Sequence, residues 1–324
     1  MTSARDVWRP TAPLNTLRLR AEILAKIRSF FAERDVLEVE TPLLASAPVT
    51  DVHLHALPCR YRGPGFDDGR ELYLQTSPEY AMKRLLSAGS GAIFQICKAV
   101  RDGESGARHN PEFTILEWYR LSWDHHQLMD EIDQLLGEVL GIRPGERLTY
   151  REAFDRYAEV DVYSDDDLAL RGRLVSAGAS IPDDLERNDL LDLILTHIIE
   201  PRLAHCQPTF IHDYPASQAA LARVRHDEPP VAERFEVFCE GVELANGYHE
   251  LIDPVVQRQR FEADLEARRQ SGFSEVPIDE HLLAALDHGL PDCAGVALGV
   301  DRLVMLAAGT REISNVIAFP IDRA

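Results

Sequence analysis

Three short stretches of this chain carry residue types suited to chemistry. The first, Arg101–Leu121, reads RDGESGARHNPEFTILEWYRL and gathers Arg101, Asp102, Glu104, Arg108, His109, Asn110 and Glu112 into one loop. A plain hairpin connection needs about two to five residues, so this loop is too long and too charged to be only a turn. Loops held at the mouth of ordered strands commonly bind ligands; a solvated hairpin tip is the competing reading. The second stretch, Phe235–Leu251, reads FEVFCEGVELANGYHEL, with Glu236, Glu243 and Glu250 at intervals of seven. Carboxylates converging from adjacent strands repel unless a cation neutralises them, so Mg²⁺ or an ammonium group is their natural partner. Solvated strand-face glutamates are the alternative, and the apolar, glycine-bearing context favours a site. The third, Gly295–Gly309 (GVALGVDRLVMLAAG), passes from an apolar strand into a helix with Asp301 and Arg302 at its start. An arginine in a first turn opposes the helix dipole; binding an anion beside glycine-exposed backbone gives it a reason. The fragment is neither a Walker A loop nor a dinucleotide fingerprint.

The elements that must position these residues are legible in outline. Ile93–Val100 and Phe113–Leu121 are short, alternating and rich in β-branched or aromatic residues, which predicts two strands around the charged loop. A helix is expected over Asn15–Glu33, with Leu17, Ile23, Leu24, Ile27, Phe30 and Phe31 on one stripe and Asn15 as its N-cap. VLEVETPLL then runs extended, and Pro42 forbids a regular central ladder. That helix and strand edge form either an ordinary edge or a subunit interface. Residues 45–70 read as loop, with His53 and His55 as surface or substrate-rim histidines. Leu72–Thr76 predicts a strand. Ser77, Pro78 and Glu79 then start a helix that runs to Gly89, with Ser77 as cap and Glu79 complementing the dipole. Gln127–Leu140 is an amphipathic helix, residues 145–190 an inserted subdomain or lid, Leu190–Ile199 an apolar helix closed by Pro201, and Thr209–Asp213 a buried strand. Gly309 stops the last helix.

Composition narrows the class. The chain has 324 residues, 45% of them hydrophobic, enough to bury a full core. Its formal charge of −20 opposes general affinity for a nucleic-acid backbone. No apolar run approaches the length of a membrane span, and the opening MTSARDVWRPTAP lacks the apolar stretch of a signal peptide. Cys59, Cys97, Cys206, Cys239 and Cys293 are odd in number and scattered, so free thiols in a cytoplasmic protein are expected, without a disulfide frame or zinc site.

Taken together, the three stretches resemble the signature motifs of the class II aminoacyl-tRNA synthetases. Gly295–Arg302 looks like motif 3, Arg101–Phe113 like motif 2, and the Asn15 helix with Pro42 like a degenerate motif 1. TSPEY, HNPEFT followed by Glu117 and Tyr119, ELANGYHEL and GVALGVDRL are similar to the wording of lysyl-tRNA synthetase, over roughly residues 15–320. The chain departs from that enzyme by starting at motif 1, so no anticodon-binding domain is expected. It also carries Ala297 where the synthetase usually has glycine. HNPEFTILEWYR and PDCAGVALGVDRLVM are instead similar to the short paralogues that activate (R)-β-lysine with ATP and transfer it to a lysine of elongation factor P.

The resemblance implies an α+β fold, a single synthetase-like catalytic domain with an antiparallel six-stranded sheet flanked by helices, working as a homodimer. By matching position, Arg101 would hold the α-phosphate of ATP and Arg302 the γ-phosphate, as the catalytic pair. Asn110 and the Arg101–Asp102–Gly103 backbone would frame the adenosine, with Phe113 on the ring and Leu244 and Gly299 lining the nucleotide. Glu236 and Glu243 would carry Mg²⁺. Ser77, Glu79, Glu117, Tyr119 and Glu250 would hold the dicationic amino acid, lysine or (R)-β-lysine, and the methyl of Ala297 would take room beside its α-carbon. At Gly103 the chain departs again: the synthetases carry glutamate there, and Glu104 follows one place later. Two other readings remain at this stage. One is a truncated synthetase-like enzyme charging a tRNA or a carrier protein; the other is a regulatory paralogue that binds ligand without reacting.

Overall fold

The computed structural model describes residues 8–205 and 207–324. The first seven residues, read as part of a leaderless start, and Cys206, expected as a free thiol, lie outside the described residues. Cys59, Cys97, Cys239 and Cys293 are in no disulfide among the described residues. No helix among the described residues is long and apolar enough to cross a membrane. The chain divides into two compact units. The first takes the described residues up to Ser122, with Ile252–Asp292 and Ala297–Ala324; the second takes Trp123–Leu251 and Cys293–Val296.

In the first unit, α1 (Leu14–Ala32) buries Ile23, Ile27, Phe30 and Phe31. Asn15 does not cap it. Pro13, already extended at φ −60° and ψ 147°, is the N-cap residue and makes no side-chain capping bond, so Asn15 falls inside the first turn. Around Pro42 the extended segment yields only two two-residue strands, β1 (Leu37–Glu38) and β2 (Leu44–Ala45). Residues 45–70, expected as loop, contain β3 (Pro58–Gly63) and much of β4 (Phe66–Leu74), an antiparallel hairpin with β2 on the other edge of β4. Their side chains are mostly exposed, so the apolar alternation that announces a strand is missing. After α2 (Glu79–Ser87), β5 (Ile93–Val100) and β6 (Glu112–Leu121) pair antiparallel without a register shift, from Ile93 opposite Tyr119 to Val100 opposite Glu112. Phe31 stacks on Phe94 with ring centroids 4.6 Å apart, fixing α1 against β5.

The second unit opens with α3 (His125–Leu140), two residues earlier than expected because Asp124 and Gln127 close a capping box. Residues 145–190 hold β7 (Glu146–Thr149), α4 (Tyr150–Ala158), α5 (Asp167–Ser176) and the start of α6 (Arg187–Ile194). Leu148, Tyr150, Phe154, Leu170 and Leu174 from this segment share one buried cluster with Ile211, Tyr214 and Phe238. The apolar helix does not stop cleanly: α6 runs into a π-type turn, Leu195–Ile199, and a 3₁₀ turn, Glu200–Leu203, that contains Pro201. Then come β8 (Thr209–Pro215), β9 (Val224–Arg225), β10 (Val231–Cys239) and β11 (Val242–His249). The β10–β11 turn, Glu240–Gly241, has positive φ at both residues (52° and 69°), the geometry of a tight hairpin.

The chain then supplies α7 (Pro254–Gln270), α8 (Glu280–Gly289), β12 (Cys293–Gly299) and α9 (Val300–Ala308), the last ended by Gly309 at φ 62°. This is an α+β fold with mostly antiparallel pairing. Outside the β2–β4–β3 sheet, six strands run seven to ten residues: β5, β6, β8, β10, β11 and β12. The β5–β6, β8–β10 and β10–β11 pairs are antiparallel. Short β1 and β7 add parallel pairings to β5 and β8.

Candidate active site

In the first unit the expected residues gather on β6, the loop before it, the start of α2 and the β12–α9 junction. Glu117, in the middle of β6, is 2% exposed. The Ser77 hydroxyl donates to its Oε2 at 2.7 Å and the Tyr119 hydroxyl to its Oε1 at 2.7 Å. A buried carboxylate is costly unless its oxygens are hydrogen-bonded, and each of these accepts from a hydroxyl. Ser77 also accepts from the Glu79 backbone N–H at 3.1 Å, so the capping bond expected of it and its bond to Glu117 coexist; the N-cap position itself is Pro78. Glu79 carries an ion pair that the sequence reading missed: Lys83 Nζ, buried, lies 2.7 Å from its Oε1 one helical turn on. The four-residue spacing was the available signal.

The charged loop is organised from its base. Arg101 and Pro111 share a backbone hydrogen bond, Asp102 N–H donates to the His55 carbonyl, and Gly106 and His109 form a small bridge. Gly103 takes φ 81°, a turn conformation suited to glycine. The Arg101 guanidinium lies 5.0 Å from the Phe113 ring centroid and 3.4 Å from Glu104 Oε1. Asn110 is buried with both ends of its amide engaged: Nδ2 donates to the Glu112 carbonyl at 2.6 Å, and Oδ1 accepts from Ile321 N–H at 2.9 Å. Its side chain therefore braces the loop against the C-terminal segment.

At the start of α9 the two charges separate by role. Asp301 is buried; it accepts from Arg20 Nη1 at 2.5 Å and from the Thr114 N–H at 2.7 Å, tying α1, β6 and α9 together. Arg302 remains half-buried, with Nη2 2.7 Å from His109 Nε2, which brings it to the charged loop. Neither the Arg20–Asp301 tie nor the His109–Arg302 contact was legible, since each joins residues far apart in the chain. Along β12, Ala297 and Gly299 are half-exposed while Val296, Leu298 and Val300 are buried, so one strand face is open. A side chain added at Gly299 would have Arg302 as its nearest neighbour, at ordinary contact distance.

In the second unit, Glu236 on β10 sits opposite Asn246, and Glu243 on β11 opposite Phe238 across a bulge. Burial pushes Glu236 up to about 7; Arg234, 2.5 Å away, opposes this, and nearby Glu243 adds to it. Hard carboxylate oxygens that repel one another suit a divalent ion such as Mg²⁺. Arg234, not singled out in the sequence, is the cation already paired there; its signal was the two-residue spacing that shares a strand face. Leu244 is buried beside Glu243, and Glu250 follows β11, buried, with its N–H on the Cys293 carbonyl at 3.0 Å. His53 and His55 fall in no group of possible metal ligands among the described residues.

A pH dependence follows from Glu236. Its folded pKa lies above the ordinary 4.5, so its stabilising share is complete below that value and is lost as pH rises through about 7. The unfolding free energy of the parent chain, minus that of Glu236→Gln, should therefore fall between pH 5 and 8, by on the order of 1–3 kcal/mol. Urea titrations of both proteins without divalent ions measure it; a pH-independent difference would show that the carboxyl is ordinary.

Against known protein families, residues 4–323 match "tRNA synthetases class II (D, K and N)". The chain belongs to that family. Within it, the chain is similar to the elongation factor P–(R)-β-lysine ligases of Salmonella paratyphi B, Salmonella schwarzengrund and Salmonella typhimurium. Each is 52% identical over 324 residues, covering 99% of this chain and the whole of the relative.

Proposed function

We propose that this chain activates (R)-β-lysine with ATP and transfers it to the ε-amino group of a lysine on elongation factor P. The observation that carries the reading is the Ser77–Glu117–Tyr119 arrangement: a buried carboxylate, pre-aligned by two hydroxyls, is what an ammonium group needs from its pocket. Full-length likeness to ligases of that name supports the acceptor and the β-isomer.

The chemistry is in-line attack of the amino-acid carboxylate on the α-phosphorus of ATP. A carboxylate-oxygen–phosphorus bond forms, the bond to the bridging oxygen breaks, and pyrophosphate leaves. The chain needs no nucleophile of its own; it positions the reactants and neutralises charge. Arg101 holds the α-phosphate, and Arg302 holds the departing end. Mg²⁺, which Glu236 and Glu243 would hold, supplies further charge neutralisation. In the second half, the acceptor amine attacks the carbonyl carbon of the adenylate, AMP leaves with the bonding pair, and the amine loses a proton.

The test is the mass of purified elongation factor P after incubation with this enzyme, ATP and either lysine isomer. One aminoacyl addition, favoured with (R)-β-lysine, is expected. Pyrophosphate exchange with labelling of tRNA instead would establish the truncated-synthetase reading, and binding without exchange the regulatory one. The same assay examines Ala297. In a β-amino acid the ammonium sits one carbon further from the carboxylate, and the Ala297 methyl on the open face of β12 excludes the α-isomer's geometry. Ala297→Gly should move the α/β ratio of kcat/KM by about tenfold towards α-lysine, the scale of one methylene of pocket shape. An unchanged ratio would leave the methyl as packing.

We also infer a homodimer formed through α1 and the segment around Pro42, where Leu14, Leu37, Leu43 and Leu44 are exposed. Light scattering at micromolar concentration should return twice the chain mass; the single-chain mass would remove the inference.

A further inference from the structure

The second unit carries a histidine cluster that the adenylation chemistry does not use. His125 and His126 open α3, and His212 lies on β8. The His125 and His126 ring centroids are 4.1 Å apart, and those of His126 and His212 are 5.1 Å apart. One ring nitrogen from each of the three lies within 4.8 Å of the other two. Stacked histidines at a helix start are by themselves unremarkable, because imidazoles pack as flat, half-apolar rings.

Two further observations point to a ligand. His125 is 1% exposed, and its Nδ1 is buried without a hydrogen-bond partner among the described residues. Leaving such a nitrogen unsatisfied costs about 1–3 kcal/mol, so it calls for an occupant. Its other nitrogen, Nε2, lies 3.3 Å from Asp213 Oδ1. A carboxylate at Nε2 fixes the tautomer with its proton there and leaves the Nδ1 lone pair as a donor. This is how outer carboxylates orient metal-binding histidines. The second Asp213 oxygen lies 3.5 Å from His212 Nδ1, so the same residue faces both rings.

From this geometry we propose that His125, His126 and His212 form a site for one divalent transition-metal ion of the zinc type, with Asp213 orienting the ligands. Three neutral imidazoles suit such an ion, and a fourth position remains for water. Two nitrogens on one zinc stand about 3.4 Å apart when each bond is about 2.1 Å, so the three side chains would draw together from their separations of up to 4.8 Å as the ion binds. Asp213 and Arg225, 3.0 Å apart, cancel one another, so no net positive charge opposes the ion. A second grouping, His125 with Glu233 and His249, is less suited. There Glu233 already holds His249 at 2.7 Å and lies 3.5 Å from the Arg225 cation.

The test uses untagged, full-length protein freed of metal, titrated with Zn²⁺ by calorimetry and with Co²⁺ by visible absorption, without ATP or Mg²⁺. One equivalent should bind per chain, with the intense d–d bands of a four-coordinate cobalt site. His126→Ala, at an exposed position that folding tolerates, and His212→Ala should each weaken binding by at least a hundredfold. Asp213→Asn should weaken it by about ten- to a hundredfold. Absence of saturable binding, binding unchanged in both alanine variants, or loss through His249→Ala with His126→Ala silent would each overturn the assignment.

Discussion

Arg302→Ala should lower amino-acid-dependent ATP–pyrophosphate exchange by about a thousandfold while the chain stays folded. The side chain opens α9 and is half-buried; the fold's own tie at this junction is Asp301, bonded to Arg20 and Thr114. Removing Arg302 therefore spares the structural network and deletes a cation whose position the helix dipole disfavours. In the role proposed for it, Arg302 would act on the charge that develops as pyrophosphate departs, and losing one donor of this kind costs about a hundred- to a thousandfold. Arg302→Lys should recover only part of the rate, because a lysine keeps the charge and loses the planar fork that grips phosphate. Exchange within a few-fold of the parent in the alanine variant would remove Arg302 from the reaction.

The second large effect is expected at Glu117. Glu117→Gln keeps the shape of the side chain and an acceptor for Ser77 or Tyr119, so unfolding by urea should change little. The carboxylate charge is lost where the substrate ammonium would sit. Breaking a buried, hydrogen-bonded charge pair costs about 2–5 kcal/mol, so KM for (R)-β-lysine should rise about a hundredfold or more. KM for ATP should stay near the parent value and kcat should fall less. Isothermal titration of the amino acid alone, without ATP, separates binding from turnover. An unchanged amino-acid affinity would place the ammonium elsewhere, with Glu79 or Glu250 the next residues to substitute. The contrast with Ala297→Gly is diagnostic, since that change alters the choice between isomers whereas Glu117→Gln weakens both.

What the sequence by itself determined is the local order and the chemical vocabulary. The β5 strand falls at its expected bounds and β6 within a residue of them, because alternating β-branched and aromatic residues state a pleated element directly. The β12–α9 junction and its Gly309 stop were likewise legible, as were the three stretches whose wording resembles the synthetase motifs. Where the local signal was weak, expectation and structure part. β3 and the first part of β4 were read as loop because both faces of the hairpin are largely wet, and Asn15 was read as a cap although Pro13 had already set the helix start. Only the tertiary structure decided which residue serves which partner. Ser77 and Tyr119 grip Glu117 from 40 and 2 residues away, His109 reaches Arg302 across 193, and Asp301 turns out to be an internal tie. The His125–His126–His212 cluster has no spacing signature, since His212 on β8 lies 86 residues beyond His126 in the chain. Periodicity records how a segment meets its own surroundings; contacts between distant segments depend on how the strands and helices pack, and that is fixed by burial of the whole core.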